Sequence, residues 1–170
     1  MAVKGQTWRA FGQPIKRRED SKLITGSATY VDDITLPGMT YLAIVRGVVT
    51  DEAGELEGPI GRHPRERKRM AVVEGGRFAR TRYEVVERKR THTLLRCELD
   101  TGRTHQIRVH LAALKHPVAG DLDYGGGEPD LARPMLHAWR LRLRHPRTGE
   151  EMSFEAAPPA DFQKFWSSLT

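Results

Sequence analysis

The sequence predicts an α+β fold, a mostly antiparallel mixed sheet with a few peripheral helices, and three observations support this class. Residues 135–144 alternate strongly between apolar residues and arginine, as a strand with one buried face does. Residues 79–87 and 91–99 alternate in part and are joined by three charged residues, which is typical of an antiparallel hairpin. Apolar residues at helical spacing between 107 and 114 predict an amphipathic helix. Strands with peripheral helices in this proportion indicate an α+β sheet domain.

The chain divides at about residue 40. Residues 1–39 are polar, broken by proline and too poor in apolar residues for a core of their own, whereas residues 40–170 have the pattern of a globular domain. That domain begins with an apolar run of strand length at 41–46. Residues 48–64 are rich in glycine, proline and acidic residues and predict a loop, which a basic cluster at 65–69 follows before the hairpin.

The helix after the hairpin is predicted to begin at Thr104, a favourable capping residue, and to end at His116 and Pro117. Its apolar stripe consists of Ile107, Leu111 and Leu114.

The strand at 135–144 follows, and it is predicted to place its apolar and cationic side chains on opposite faces: Trp139, Leu141 and Leu143 on one, Arg140, Arg142 and Arg144 on the other. The arginine face is either an ordinary solvated surface or a track for RNA. A turn at 145–149, a strand at 152–156 and an amphipathic helix at 161–169 complete the domain.

Positive charge is concentrated in the middle of the chain. The 170 residues contain 28 lysines and arginines against 22 acidic residues, a net charge of +6. Residues 62–108 alone hold 14 lysines and arginines against 6 acidic residues. Such a block is expected where a protein meets a phosphate backbone, although it also occurs as a solubilising face.

Several classes of protein are excluded by composition. Cys97 is the only cysteine, so the chain forms no disulfide within itself and no zinc site with several cysteines. No apolar run approaches the roughly 20 residues of a membrane span, and the N-terminus lacks the apolar stretch of a secretion signal, which predicts a cytoplasmic protein. His105 and His110 are five residues apart and do not form the i, i+4 zinc pair, so no metal site is predicted.

Five short motifs, at 41–47, 59–64, 101–110, 116–121 and 136–138, carry a family resemblance. The most specific is Thr-Gly-Arg-Thr-His-Gln-Ile-Arg-Val-His at 101–110, with Gly-Asp-Leu-Asp-Tyr-Gly at 120–125 following it. In this order, residues 41–165 resemble the second half of the catalytic domain of RNA pseudouridine synthases that modify large-subunit ribosomal or transfer RNA. The resemblance implies a partial pseudouridine synthase fold, RNA as partner and no metal or organic cofactor.

The resemblance also implies roles for individual residues. The target nucleoside would be flipped out of its stack, with Tyr41 stacking on the uracil and Arg108 pairing with the catalytic aspartate. RNA contacts are predicted for residues of the basic segment and of the 101–110 motif: Arg62, Arg65, Arg67, Lys68, Arg69, Arg103, His105 and Gln106.

Each of these residues also has a structural interpretation. Tyr41 could be an ordinary strand aromatic, and Arg103 and Arg108 could lie on a helix surface. His105 and Gln106 could satisfy buried backbone groups around the cleft. Asp121 and Asp123, which follow Gly120, are predicted to form a turn.

The catalytic aspartate is the point at which the sequence departs from the family. The family carries it in an Arg-Leu-Asp motif upstream of the tyrosine, and this sequence contains no Arg-Leu-Asp. Asp32 and Asp33 precede Tyr41 in a setting that does not match. The sequence therefore predicts that RNA binding is retained and that uridine isomerisation is lost. The alternatives are a synthase that uses Asp32, Asp33 or an aspartate supplied in trans, and a fragment that folds without an evolved function.

A second resemblance concerns residues 12–39. Their motifs are similar to the opening of the large subunit of molybdenum hydroxylases of the carbon monoxide or aldehyde dehydrogenase kind, and they carry none of that family's molybdopterin chemistry. The sequence is therefore interpreted as a fusion of a foreign N-terminal segment with a truncated synthase domain, joined near 39–41. Half of a divided sheet exposes strand edges, which predicts a homo-oligomer.

Overall fold

The computed structural model describes residues 38–170, which form eight strands and two helices. The elements, in chain order, are β1 (Met39–Arg46), β2 (Ala53–Glu57), β3 (Ile60–Arg62), β4 (Met70–Val72), β5 (Arg80–Arg88), β6 (His92–Leu99), α1 (Gln106–Ala113), β7 (Leu136–Arg144), β8 (Glu151–Glu155) and α2 (Ala160–Ser168). The N-terminal segment 1–39, with Asp32 and Asp33, lies outside the described residues except for Gly38 and Met39. No helix of the described part is long and apolar enough to cross a membrane.

Six strands form one antiparallel sheet in the order β2-β5-β6-β1-β7-β8, and β3 pairs with β4 in a separate two-stranded sheet. Strand β1 lies near the centre, between β6 and β7. The predicted hairpin is confirmed as β5 and β6, and the predicted strands at 135–144 and 152–156 are confirmed as β7 and β8. The α+β class predicted from the sequence is confirmed.

The sheet is packed on both faces, which explains the continuous apolar run in β1. Ala43 and Val45 point to one face, where they join Leu111 of α1 in a core cluster. Ile44 points to the other face and packs with Phe162 of α2. The side chains of Ala43, Ile44 and Val45 are fully buried. Burial of a valine or isoleucine side chain stabilises a fold by about 1.5–3 kcal/mol.

Two local predictions are wrong. Residues 48–64 are not one loop, since they contain β2 and β3, and β4 follows soon after. The capping position of α1 is His105, in a left-handed conformation with φ 57°, and not Thr104. The reason is that the Gln106 side chain reaches back to accept the Arg103 backbone N–H at 3.0 Å, so the turn before the helix is closed by a glutamine inside it.

The alternation predicted for β7 breaks at its centre. The register between β1 and β7 shifts at Thr40 and Tyr41, so that Ala138 lies opposite Tyr41 while Arg140 lies opposite Thr40. Trp139 packs in the α2 cluster, and the Arg140 guanidinium lies 4.4 Å from the centre of its ring. The prediction that Trp139 and Arg140 lie on opposite faces is therefore wrong, because an irregularity in strand pairing adds a residue on one strand.

Candidate nucleic-acid interface

The candidate site is centred on a buried ion pair between α1 and the turn at residues 120–126. Arg108 donates from Nε and Nη2 to the two carboxylate oxygens of Asp121 at 2.6 and 2.7 Å. The Asp121 side chain is fully buried and that of Arg108 is 15% exposed. Nη2 also donates to Asp123, whose side chain is 57% exposed, at 2.8 Å. These hydrogen bonds, first the one to Asp121, raise the pKa of the Arg108 guanidinium above its ordinary value.

The turn that carries both aspartates is fixed by its backbone. Gly120 N–H donates to Gly126 O at 2.6 Å, and Gly126 N–H donates to Asp121 O at 2.8 Å. Gly120 has φ +79°, and an added Cβ there would lie 2.3 Å from the Arg133 carbonyl oxygen. The predicted turn at 120–123 is thus present. Its carboxylates also bind Arg108 of α1, which lies 13 residues before Asp121 in the chain.

Tyr124 connects this turn to the β3–β4 hairpin. Two guanidinium groups lie over its ring, that of Arg108 at 4.8 Å and that of Arg69 at 5.4 Å from the ring centre. Its hydroxyl accepts the Met70 backbone N–H at 3.0 Å and lies 3.0 Å from Nδ1 of His105. Partial burial raises the pKa of the phenol. The sequence motif 120–125 contains this residue, but its role as a junction was not predicted.

Behind the ion pair lies a buried polar network. The Gln106 side-chain amide donates to Arg80 O at 2.9 Å and to the Thr81 hydroxyl at 3.0 Å, and its oxygen accepts from Thr101 at 2.8 Å. Gln106 is 2% exposed. Of the two interpretations offered for this residue, the hydrogen bonds fit the structural one, because the amide is engaged within the protein and cannot reach a ligand at the surface.

His110 belongs to the same network, and its burial predicts that the stability of the domain depends on pH. Its ring nitrogens lie 2.9 Å from the Thr81 hydroxyl and 3.3 Å from the Gly58 carbonyl oxygen, and burial lowers the pKa of the imidazole below its ordinary 6.5. The unfolded chain therefore binds a proton at a higher pH than the native protein does. Stability contributed by the neutral ring is complete above pH 6.5 and is lost as the pH falls toward the native pKa.

We expect the free energy of unfolding to fall between pH 7.5 and 5.5 with a slope of up to about 1.4 kcal/mol per pH unit from His110. Urea titrations across this range measure it. In His110→Gln, which keeps a hydrogen-bonding side chain without the titration, this part of the slope should vanish. Equal slopes in the two proteins would show that other groups, and not His110, cause the dependence.

The β3–β4 hairpin presents the cationic cluster predicted from the sequence. We call β3, β4 and the turn between them the basic hairpin (residues 60–72). Arg69 is paired with Glu66 at 2.8 Å and holds the Tyr124 ring. The other cations of the cluster are exposed, and within residues 38–170 they form no ion pair: Arg62, Arg65, Arg67 and Lys68. Four charges of one sign therefore face solvent from this hairpin. Tyr124 anchors the hairpin to the Arg108 cluster, which we define as Arg108, Asp121, Asp123 and Tyr124.

Tyr41 is the residue predicted to stack on the target uracil. It is partly buried in β1, packs against the core beneath α1 and donates its hydroxyl to Sδ of Met39 at 3.7 Å. Burial raises the pKa of its phenol. Among the described residues, no hydrogen bond or ring contact links Tyr41 to Arg108. Arg103 donates from Nε to the Phe78 carbonyl oxygen at 3.0 Å, at the other end of the predicted motif.

Comparison with known proteins agrees with this architecture. Residues 37–113 match the family model described as RNA pseudouridylate synthase. The similarity to this family therefore covers somewhat less than half of the chain. The matched segment includes β1, the basic hairpin, the β5–β6 hairpin and all of α1, so the Arg108 side of the ion pair lies within the pseudouridine synthase match.

Curated relatives extend the similarity beyond that segment. The chain is 49% identical over 130 residues to ribosomal large subunit pseudouridine synthase D of Nitrosomonas europaea, covering 71% of this chain and 38% of that protein. It is 41% identical over 165 residues to the protein of the same name from Pasteurella multocida, covering 88% of this chain and 51% of that protein. The chain thus spans between about two fifths and one half of these relatives.

A solved pseudouridine synthase structure is also similar. Human RNA pseudouridylate synthase domain containing 1 superimposes with a TM-score of 0.64 at 33% identity, covering 71% of this chain and 54% of that one. The fold of the matched part of this chain is therefore similar to that of the human protein.

Proposed function

We propose that this chain is the RNA-binding part of a ribosomal RNA pseudouridine synthase and that it does not isomerise uridine by itself. The observation that carries the RNA-binding part is the basic hairpin. Arg62, Arg65, Arg67 and Lys68 are exposed and make no ion pair within residues 38–170, and Tyr124 holds the hairpin against the Arg108 cluster. Cations that are held in place and not neutralised by the protein are suited to phosphate groups.

We expect the triple variant Arg65→Ala, Arg67→Ala and Lys68→Ala to bind a single-stranded fragment of large-subunit ribosomal RNA more weakly and with less dependence on salt. Each phosphate contact contributes about 0.7 to the slope of log K against log salt concentration for single strands, so the slope should fall by about 2. Fluorescence anisotropy between 50 and 200 mM KCl measures both quantities.

The matched control removes three cations elsewhere. Arg142, Arg144 and Arg147 are exposed and make no ion pair within the described residues. Changing these three to alanine lowers the net charge equally and should leave the slope unchanged. An equal loss in both variants would indicate attraction by net charge, and a loss only in the control would place the RNA on the β7 arginines. Wild-type protein that binds no RNA would support a folded fragment without an evolved function.

Loss of isomerisation is proposed from the sequence, because the Arg-Leu-Asp motif is missing. A second candidate, a synthase completed in trans, is favoured by the way Arg108 is bound. Its Nε and Nη2 are occupied by Asp121 and Asp123, whereas Nη1 donates to no group among the described residues. A guanidinium has five N–H donors, so an additional carboxylate can still bind this edge. In this proposal Tyr41 stacks on the target uracil and Arg108 orients the aspartate.

Mapping pseudouridine in ribosomal RNA separates these candidates. The chain alone should form no pseudouridine, whereas its mixture with the Arg-Leu-Asp half of a relative should form pseudouridine if completion in trans occurs. Activity of the chain alone that disappears in Asp32→Asn with Asp33→Asn would assign the reaction to those residues and reject the inactive form.

We also propose that residues 12–39 have a separate origin, on their resemblance to molybdenum hydroxylases. The family match begins at residue 37, which is consistent with a join near 39–41. The match to the Pasteurella protein counts against a join there, because it covers 88% of the chain and must reach into residues 1–39, which make up more than a fifth of it. Amplification of source genomic DNA across codons 30–50 tests the join, because a natural fusion gives one continuous product and a constructed one gives none.

A further inference from the structure

Phe78 presents an exposed aromatic ring from a backbone that is held on both sides. Its side chain is 53% exposed, although the next residue, Ala79, is fully buried. The Phe78 carbonyl oxygen accepts the Arg103 Nε–H at 3.0 Å. Before it, Arg77 exchanges two backbone hydrogen bonds with Ile60 at 2.8 and 2.9 Å. The loop between β4 and β5 is thereby fastened to the base of the basic hairpin and to the turn before α1.

Three arginines are neighbours of Phe78: Arg80 contacts the ring, Arg103 binds the backbone carbonyl oxygen and Arg77 precedes it in the chain. The Arg80 guanidinium lies 5.8 Å from the ring centre and is itself paired with Glu55 at 3.0 Å. Arg77 is exposed and Arg103 is partly exposed, and neither forms an ion pair within residues 38–170. The nearest acidic residue along this loop is Glu74, which is exposed. Phe78 therefore has two neighbouring arginines, Arg77 in the chain and Arg103 on its carbonyl oxygen, whose charge no described carboxylate neutralises.

We propose that Phe78 is a stacking platform for an unpaired RNA base, with Arg77 and Arg103 binding the phosphates on either side of that nucleotide. This inference rests on the proposed RNA binding and names the contact that would recognise single-stranded RNA. A flat ring accepts any base because every base has a π-face, and arginines beside it follow the backbone. Burial of the ring under a base also removes apolar surface from water.

The surroundings of the ring favour RNA over a protein partner. A protein surface that docks on an exposed phenylalanine normally covers a contiguous apolar patch, and the side chains flanking Phe78 in the chain are Arg77 and, beyond Ala79, Arg80. The loop also lies between the basic hairpin and Arg103, so a strand bound to the hairpin cations would pass this ring. The same occupant thus explains the aromatic residue and the cations.

The test compares two phenylalanines of similar exposure. Phe78→Ala should weaken binding of a fluorescein-labelled decauridylate by about 5- to 150-fold, the range expected for loss of one stacked base. Phe154→Ala is the matched control, because Phe154 is 50% exposed on the edge strand β8 and is followed by Glu155. This control should bind the oligonucleotide as the wild type does.

Two further variants identify stacking as the cause. Phe78→Trp should keep the affinity, whereas Phe78→Leu, which is apolar without a π-face, should lose it. Circular dichroism and urea unfolding establish that the variants are folded. Wild-type affinity in Phe78→Ala or in Phe78→Leu overturns this inference while RNA binding stands. Wild-type protein that binds no oligonucleotide and no ribosomal RNA fragment overturns both.

Discussion

Replacing Arg108 with alanine is expected to lower the free energy of unfolding by about 3–5 kcal/mol, one of the largest effects of any single substitution in this domain. The reason is the partner that the change leaves behind. Asp121 is fully buried and receives two charge-assisted hydrogen bonds from the guanidinium, at 2.6 and 2.7 Å. Without Arg108 its carboxylate would remain in the interior with no cation, and a buried unpaired charge is far more costly than the pair is favourable.

Urea unfolding of Arg108→Ala measures this effect, and Asp123→Asn is its control. Asp123 accepts a hydrogen bond from the same guanidinium at 2.8 Å, but its side chain is 57% exposed. Exposed pairs contribute about 0–1 kcal/mol, so this variant should unfold close to the wild type. A loss below about 1 kcal/mol in Arg108→Ala would contradict the structural role of the pair and leave Arg108 as a residue of the RNA site alone.

Adding Asp121→Asn to Arg108→Ala separates the two contributions. If the cost arises from the stranded carboxylate, the double variant should be more stable than Arg108→Ala, because the second change removes the buried charge. Additive losses would instead indicate that packing of the arginine stem dominates. Arg108→Lys should recover only part of the stability, since an ammonium group cannot form the paired hydrogen bonds of a guanidinium.

The parts of the fold that the sequence predicted are those with a clear local apolar pattern. The β5–β6 hairpin and α1 carry their apolar residues at the spacing of their own element, and β1 is a continuous apolar run that is buried on both faces. Strand β2 has the sequence Ala-Gly-Glu-Leu-Glu and forms because it pairs with β5, where Arg80 binds Glu55 and Glu57. A strand that depends on such a distant partner has no strong apolar pattern in its own sequence, so β2 was not predicted.

The sequence pointed to several residues of the site, but not to the side chains with which they form hydrogen bonds. Arg108 was expected to pair with an aspartate that the chain lacks, and the structure pairs it with Asp121, which had been interpreted as part of a turn. A turn residue and a helix residue become partners only through the fold between them. The available signal was the position of the 120–125 motif directly after the helix, and it also contained Tyr124.

Within residues 38–170, the two outermost strands of the sheet, β2 and β8, carry glutamates, which bears on the predicted self-association. β8 has Glu151 and Glu155 at its ends, and β2 has Glu55 at its centre. An antiparallel pairing of β8 with a second copy about Ser153 would place Glu151 opposite Glu155, and like charges directly opposite each other destabilise a sheet. The homo-oligomer remains a prediction, and these edges disfavour strand pairing between copies as its route.

Gly126→Ala is expected to be destabilising by about 3 kcal/mol or more, while the same change at the adjacent Gly125 should cost only about 1–2 kcal/mol. A Cβ at position 126 would lie 1.8 Å from the carbonyl oxygen of Val118, and backbone on a buried strand connection cannot move aside as a flexible side chain can. A Cβ at position 125 would meet no atom within 4 Å, so only its φ of +87° opposes the substitution.

Comparing the two alanine variants therefore distinguishes the cost of a steric clash at Gly126 from the cost of a positive φ at Gly125. Gly126 also donates to Asp121 O at 2.8 Å, so a displacement at 126 moves the carboxylate that binds Arg108. We expect Gly126→Ala to weaken RNA binding as well as stability, because the basic hairpin is anchored through Tyr124 of the same turn. Urea unfolding and anisotropy with the ribosomal RNA fragment measure the two effects. Equal stability of the Gly125 and Gly126 variants would contradict the close approach of Gly126 to Val118, and with it the rigidity that this turn gives to the interface.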